Sequence, residues 1–117
     1  MSAFPRPSNM LLLIALAVLV TGCGSARRGE PLVGPLPLAS EEAKQGQNVF
    51  MRNCHQCHPG GEAGLGPALN NKPLPRFMMR YQVRHGLGAM PAFSEQQIDD
   101  DELDHLLVYL KKLREHG

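Results

Sequence analysis

The stretch Cys54-His55-Gln56-Cys57-His58, CHQCH, decides how this chain is read. Two cysteines and two histidines in five residues admit three chemistries: a zinc site, a thiol–disulfide pair, or covalent haem attachment through C-x-x-C-H. Structural zinc asks for four ligands, usually as two pairs ~12–20 residues apart. No second CxxC or HxxxH pair follows here, and the neighbours Cys57 and His58 reach one tetrahedral ion together only with difficulty. A thioredoxin-like pair would open a helix after a strand, within a βαβ pattern. This pair instead follows a helix-forming segment, and no convincing strand alternation is found along the chain. In the haem reading, the thiols of Cys54 and Cys57 add to two vinyl groups on one porphyrin edge, and His58 is held under the iron. The pentapeptide alone is only moderately specific, so the rest of the chain has to agree.

At the N-terminal end, Arg6 precedes an unbroken apolar run, Met10 to Val20. A membrane-spanning helix needs ~20 apolar residues, so the run matches the core of a secretory signal peptide better. It ends in Val20-Thr21-Gly22-Cys23, which resembles the bacterial lipobox. The resemblance implies that residues 1–22 are removed and that Cys23 is acylated, so that the protein is exported and lipid-anchored to a membrane. A single acyl chain binds only marginally, and a lipidated cysteine carries more than one. Cysteine arithmetic agrees. Of three cysteines, lipidation of Cys23 leaves the pair Cys54 and Cys57, and no spare thiol in an oxidising compartment. Loss of Arg6 takes the 12 basic residues to 11, against 11 acids. A neutral chain has no nucleic-acid footprint. Its charge is nonetheless uneven: Asp99, Asp100, Asp101, Glu102 and Asp104 form an acidic block, and Arg76, Arg80 and Arg84 a basic stripe.

Residues 23–39 read as a Pro- and Gly-rich tether, with a reach of ~20–25 Å as a flexible coil. The folded domain is expected over 40–117. Ser40 with Glu41 and Glu42 forms a helix start, and that helix should run to about Asn53. Residues 59–73 carry Gly, Pro and Asn and read as a loop. Pro75 suits the first position of a second helix, whose apolar face is expected at Leu74, Phe77, Met78 and Tyr81. Gly86 should stop it. Ser94 to Gln97 fits a capping box, as does Asp99 with Glu102. The last helix should bury Leu103, Leu106, Leu107, Leu110 and Leu113. The expected fold is all-α, and so small a domain often needs a staple. It contains no tryptophan and few aromatics, so a bound group is expected to fill its core.

Taken together, residues 40–114 resemble a class I monohaem c-type cytochrome. The resemblance rests on Gly46 and Phe50 in GQNVF, on CHQCH, on GPAL (66–69), on VRHGLGAMPAF (83–93) and on LDHLLVYL (103–110). It implies a small cytochrome c fold of three to five helices around one covalently bound haem c. It implies that Cys54 and Cys57 are the attachment points and that His58 is an axial ligand. It also implies that the carbonyl of Pro67 orients His58, and that the segment around Met90 brings the second axial ligand. Tyr109 would cross the first helix near Gly46, where glycine allows close approach.

Six other residues were weighed for the sixth iron position. Met51 is too near the attachment site, and Met78 and Met79 have core spacing. His105 lies among acids, and His116 ends the chain. His85 closes the second helix, near the right region. Met90 is favoured, because Gly86 and Gly88 permit close approach to the ring and Pro91 stiffens the chain after it. His55, between the cysteines, is read as exposed and without a role. Lys72, Arg76, Arg80 and Arg84 would answer haem propionates, face a partner, or form a solvated face.

The function implied is single-electron transfer, not enzymatic catalysis, by a monomer that meets its redox protein partners transiently. A labile Met90 would point to a gas- or peroxide-binding protein instead. A structural lipoprotein with a thiol pair would show no haem absorption.

Overall fold

The computed structural model describes residues 35–71 and 73–116. The leader, Cys23 and Lys72 lie outside them. Three helices are formed: α1 (Glu41–Asn53), α2 (Arg76–His85) and α3 (Asp100–His116), with a short 3-10 turn at Pro59–Gly61. Among the described residues there is no strand, only an isolated bridge between Leu87 and Met90. The small all-α fold expected from the sequence is what forms.

α1 begins where the Ser40 hydroxyl accepts the Ala43 N–H at 3.2 Å, satisfying one of the orphan donors of a first turn. Its buried face is Ala43, Gly46, Val49 and Phe50, at helical spacing. α3 begins on the reciprocal box: Glu102 N–H donates to Asp99 Oδ1 at 2.7 Å, and Asp99 N–H to Glu102 Oε2 at 3.3 Å. Ser94 starts only a single turn, in which its N–H donates to Gln97 Oε1 at 3.0 Å. α3 buries Leu103, Leu106, Leu107, Tyr109 and Leu113, while Leu110 is half-buried beside the core. α1 and α3 cross with most of the interhelical contact, and the Phe50 and Tyr109 rings meet at 5.2 Å across the crossing. Ahead of Ser40, Leu36 and Leu38 already pack against the core.

One expectation is overturned. The anticipated apolar face of α2 points outwards: Phe77, Tyr81 and Met78 are 71%, 64% and 45% exposed. Met79 and Val83, one turn apart, face inwards instead. α2 also starts at Arg76, with Pro75 capping it from outside. Ion pairs accompany this orientation. The basic stripe interleaves with the acidic block of α3. Arg76 meets Asp104 at 2.6 Å, Arg80 meets Asp104 and, at 3.5 Å, Asp100, and Arg84 meets Asp100 at 2.8 Å. Three arginines on one edge of α2, spaced by four, grip two aspartates on one edge of α3. Like charges that repel along a single helix are thereby neutralised across two. In this arrangement the arginines of the stripe join two helices.

The hydrogen bond from Arg76, reinforced by the charge of Arg80, holds the Asp104 carboxyl below its ordinary range. A depressed carboxylate stabilises the fold above its unfolded pKa, ~3.9, and that stability is lost as the pH falls through the folded value. Asp104 is 47% exposed, so solvent screening keeps the effect small, ~0.5–1 kcal/mol. Asp104→Asn should therefore lower the urea midpoint slightly at pH 7 and leave it unchanged at pH 2. Equal deficits at both pH values would contradict the ladder.

Candidate cofactor site

α1 delivers CHQCH to the end of the core. The helix frays into a turn in which the N–H of Cys54 donates to the Phe50 carbonyl at 2.8 Å and that of His58 to the Cys54 carbonyl at 2.9 Å. Four residues of tight turn thus place Cys54, Cys57 and His58 together. Burial, with a smaller contribution from Cys57, pushes the Cys54 thiol up to about 12. Thiol exchange needs a lowered pKa and a ready thiolate, so Cys54 is ill suited to redox work. Nor does any group of three His, Cys, Asp or Glu side chains converge on a metal site among the described residues.

The following loop folds back over this turn. Gly66 N–H donates to the Cys57 carbonyl at 2.8 Å, and Leu69 N–H to the Gly61 carbonyl at 2.8 Å. The fold-back brings the Pro67 carbonyl to 2.8 Å from Nδ1 of His58. A carbonyl only accepts, so Nδ1 carries the proton and Nε2 keeps a lone pair. This is how metal-ligating imidazoles are set by their other nitrogen. His58 is buried, and Gly66 lies flat against its ring. A Cβ there would sit 2.2 Å from His58 Cε1.

Further along the chain, α2 stops at Gly86, whose φ is +70°. Leu87 and Met90 then exchange both backbone hydrogen bonds, at 3.1 and 3.0 Å, closing a tight two-residue turn with Gly88 at its first central position, the place for glycine in such a turn. The turn sets Met90 on the rim of a cavity of about 250 Å³. Cys54, His58, Pro67 and Met90 all line it, together with the apolar side chains of Leu69, Val83, Leu106 and Leu110. The donor set suits a haem: a thiol at the edge, an imidazole with a free lone pair, a thioether, and apolar walls.

The other ligand candidates are sorted by position. Met79 also lines the cavity, whereas Met78 and His85 do not. His85 lies on the outer face, with its ring stacked on Tyr81 at 4.0 Å. His55, read as exposed filler, has a structural use. It is half-buried, and its Nδ1 accepts the Gly60 N–H at 3.0 Å. The asymmetry of the CxxCH interior held no signal for this contact, because it depends on where the 3-10 turn returns.

Comparison with known proteins gives the same direction. The family model described as cytochrome C oxidase, cbb3-type, subunit III, matches residues 41–110. The chain is 36% identical over 75 residues to the cytochrome c subunit of 4-cresol dehydrogenase [hydroxylating] from Pseudomonas putida, covering 64% of this chain and 66% of that one. It is 36% identical over 77 residues to cytochrome c6 of Bryopsis maxima, covering 57% and 86%. It is 33% identical over 89 residues to cytochrome c6 of Gloeothece citriformis, covering 69% and 80%.

Proposed function

Because the chain belongs to the monohaem c-type cytochromes, with the covalent haem c and electron-transfer role of that family, we propose that it is a His/Met-ligated carrier tethered to a membrane. The observation that carries this reading is that one cavity is lined by Cys54, His58 and Met90 together. Haem c bound there supplies a one-electron couple. Cys54 and Cys57 would hold it by thioether bonds. His58 would offer Nε2, the ring nitrogen that Pro67 leaves free. Met90, which lines the same cavity, would offer its thioether, and a thioether ligand raises the potential. The apolar lining keeps water away. Holding the iron through both His58 and Met90 would leave no open position for a substrate, which supports a carrier of electrons between redox partners rather than an enzyme.

The tether is read from the sequence: residues 1–22 as a removed signal peptide, Cys23 as the acylated residue, and residues 23–39 as the link, whose end at Leu36 and Leu38 packs on the domain. On this reading the domain sits at a bacterial membrane, facing the periplasm or the cell exterior. It acts as a monomer meeting protein partners briefly, since weak redox encounters bury little surface. No helix among the described residues is long and apolar enough to cross a membrane.

Absorption spectroscopy of the purified holoprotein tests the ligation. The oxidised form should show the weak near-infrared sulfur-to-iron band, and the reduced form should bind carbon monoxide poorly at neutral pH. A missing band with avid carbon monoxide binding would replace this reading by a gas- or peroxide-binding one.

A further inference from the structure

The loop of residues 86–98 carries Met90 between α2 and α3. One side chain holds it at two points. Arg84, in the last turn of α2, directs Nη1 to the carbonyls of Phe93 at 3.2 Å and Ile98 at 2.7 Å, and Nη2 to Asp100 Oδ1 at 2.8 Å. Its side chain is only 17% exposed, against 55% for Arg76 and 34% for Arg80 in the same stripe. Phe93 is held from its other side too, because its N–H donates to the Val83 carbonyl at 2.9 Å. Ile98 is fully buried, so the far end of the loop is anchored in the core.

We propose that Arg84 is the positioning residue for Met90: it latches the return of the loop and so sets how firmly the thioether stays over the cavity. The inference rests on Met90 being the sixth ligand. The chain of restraint is short. Phe93 lies three residues beyond Met90, and Pro91, with its fixed φ, stiffens the link between them. On the other side of Met90, the Leu87–Met90 turn hangs from α2. Arg84 therefore closes a ring of backbone that starts and ends at the same helical turn. Lysine replaces it only in part, because a single ammonium lacks the planar fork that reaches the loop carbonyls from one nitrogen and Asp100 from another. Hydrogen bonds to a charged donor are among the stronger ones, and here two accept at loop carbonyls that would otherwise be left without it. Arg76 and Arg80 bond only to α3 carboxylates, so their loss should loosen helix packing without releasing the loop.

The test is imidazole titration of the oxidised holoprotein, since imidazole reaches the iron only when Met90 lets go. Wild type, Arg84→Met, Arg84→Lys and Arg76→Met are compared, with the near-infrared band recorded for each. Arg84→Met should bind imidazole at least tenfold more tightly than wild type, ~1.4 kcal/mol. Arg84→Lys should fall between the two, and Arg76→Met should match wild type. If Arg84→Met does not fold, Arg84→Lys carries the comparison. Wild-type affinity in the Arg84 variants, with the band present throughout, would overturn the latch alone. An equal rise in Arg76→Met would do the same, showing a general effect of the stripe. Absence of the band from wild type would overturn the Met90 ligation and the latch with it.

Discussion

Gly46→Ala is expected to destabilise the holoprotein by roughly 3 kcal/mol, at the upper end for overpacking a tight site. A Cβ on Gly46 would sit 2.0 Å from the His105 carbonyl oxygen, 2.6 Å from its carbon and 2.8 Å from the Tyr109 Cβ. The first two obstacles are backbone atoms of α3, which no rotamer change can move. The helices must separate, and every pair across the crossing loses contact with them, including Phe50 against Tyr109. Helix propensity pulls the other way, since alanine is better than glycine inside a helix by ~1 kcal/mol. A free α1 would therefore gain from the change, and the sign of the result separates the two effects. Urea denaturation followed by far-ultraviolet circular dichroism gives the answer. A midpoint equal to or above wild type would contradict the close crossing.

Met90→Ala should abolish the near-infrared sulfur-to-iron band and lower the reduction potential by a few tenths of a volt, within the ~0.8 V range that axial ligands command. A thioether stabilises the reduced iron, and no other side chain of the loop replaces it. The control is Met78→Ala. Met78 is 45% exposed and lies off the cavity, so that variant should keep both band and potential and change stability by no more than ~0.5 kcal/mol. Met79 is a sharper comparison, because it lines the same cavity. A band that survives in Met90→Ala and vanishes in Met79→Ala would move the ligand to α2. Potentiometry with optical detection reads both effects on one sample.

Much of this was legible in the sequence because the signals are local. Capping is one: Ser40 before two acids, and Asp99 three residues before Glu102, are contacts within a single turn, and both form. Helical period is another, and the leucines of α3 are buried as the spacing predicts. The proximity of Gly46 to Tyr109 came from the family resemblance, and the crossing is there. Harder to read was α2. Its sequence carries two competing faces, an apolar one at Phe77, Met78 and Tyr81 and a basic one at Arg76, Arg80 and Arg84. Period alone cannot rank them, because the choice lies with residues on another helix. His55 failed for a similar reason, its partner being the backbone of a turn that sequence did not foresee.

By itself the sequence determined an all-helical domain, the attachment motif, and the identity of the side chains able to meet an iron. These follow from spacing along one segment, where covalent geometry does the positioning. The tertiary structure alone decided which nitrogen of His58 keeps its lone pair, because that depends on a carbonyl nine residues away returning to 2.8 Å. It also decided which face of α2 turns inwards. Met79 and Val83 pack against the core there while the arginines meet aspartates of α3, contacts that exist only once both helices are in place. The same packing gave Arg84 a loop to hold, where the sequence showed only the third cation of a stripe.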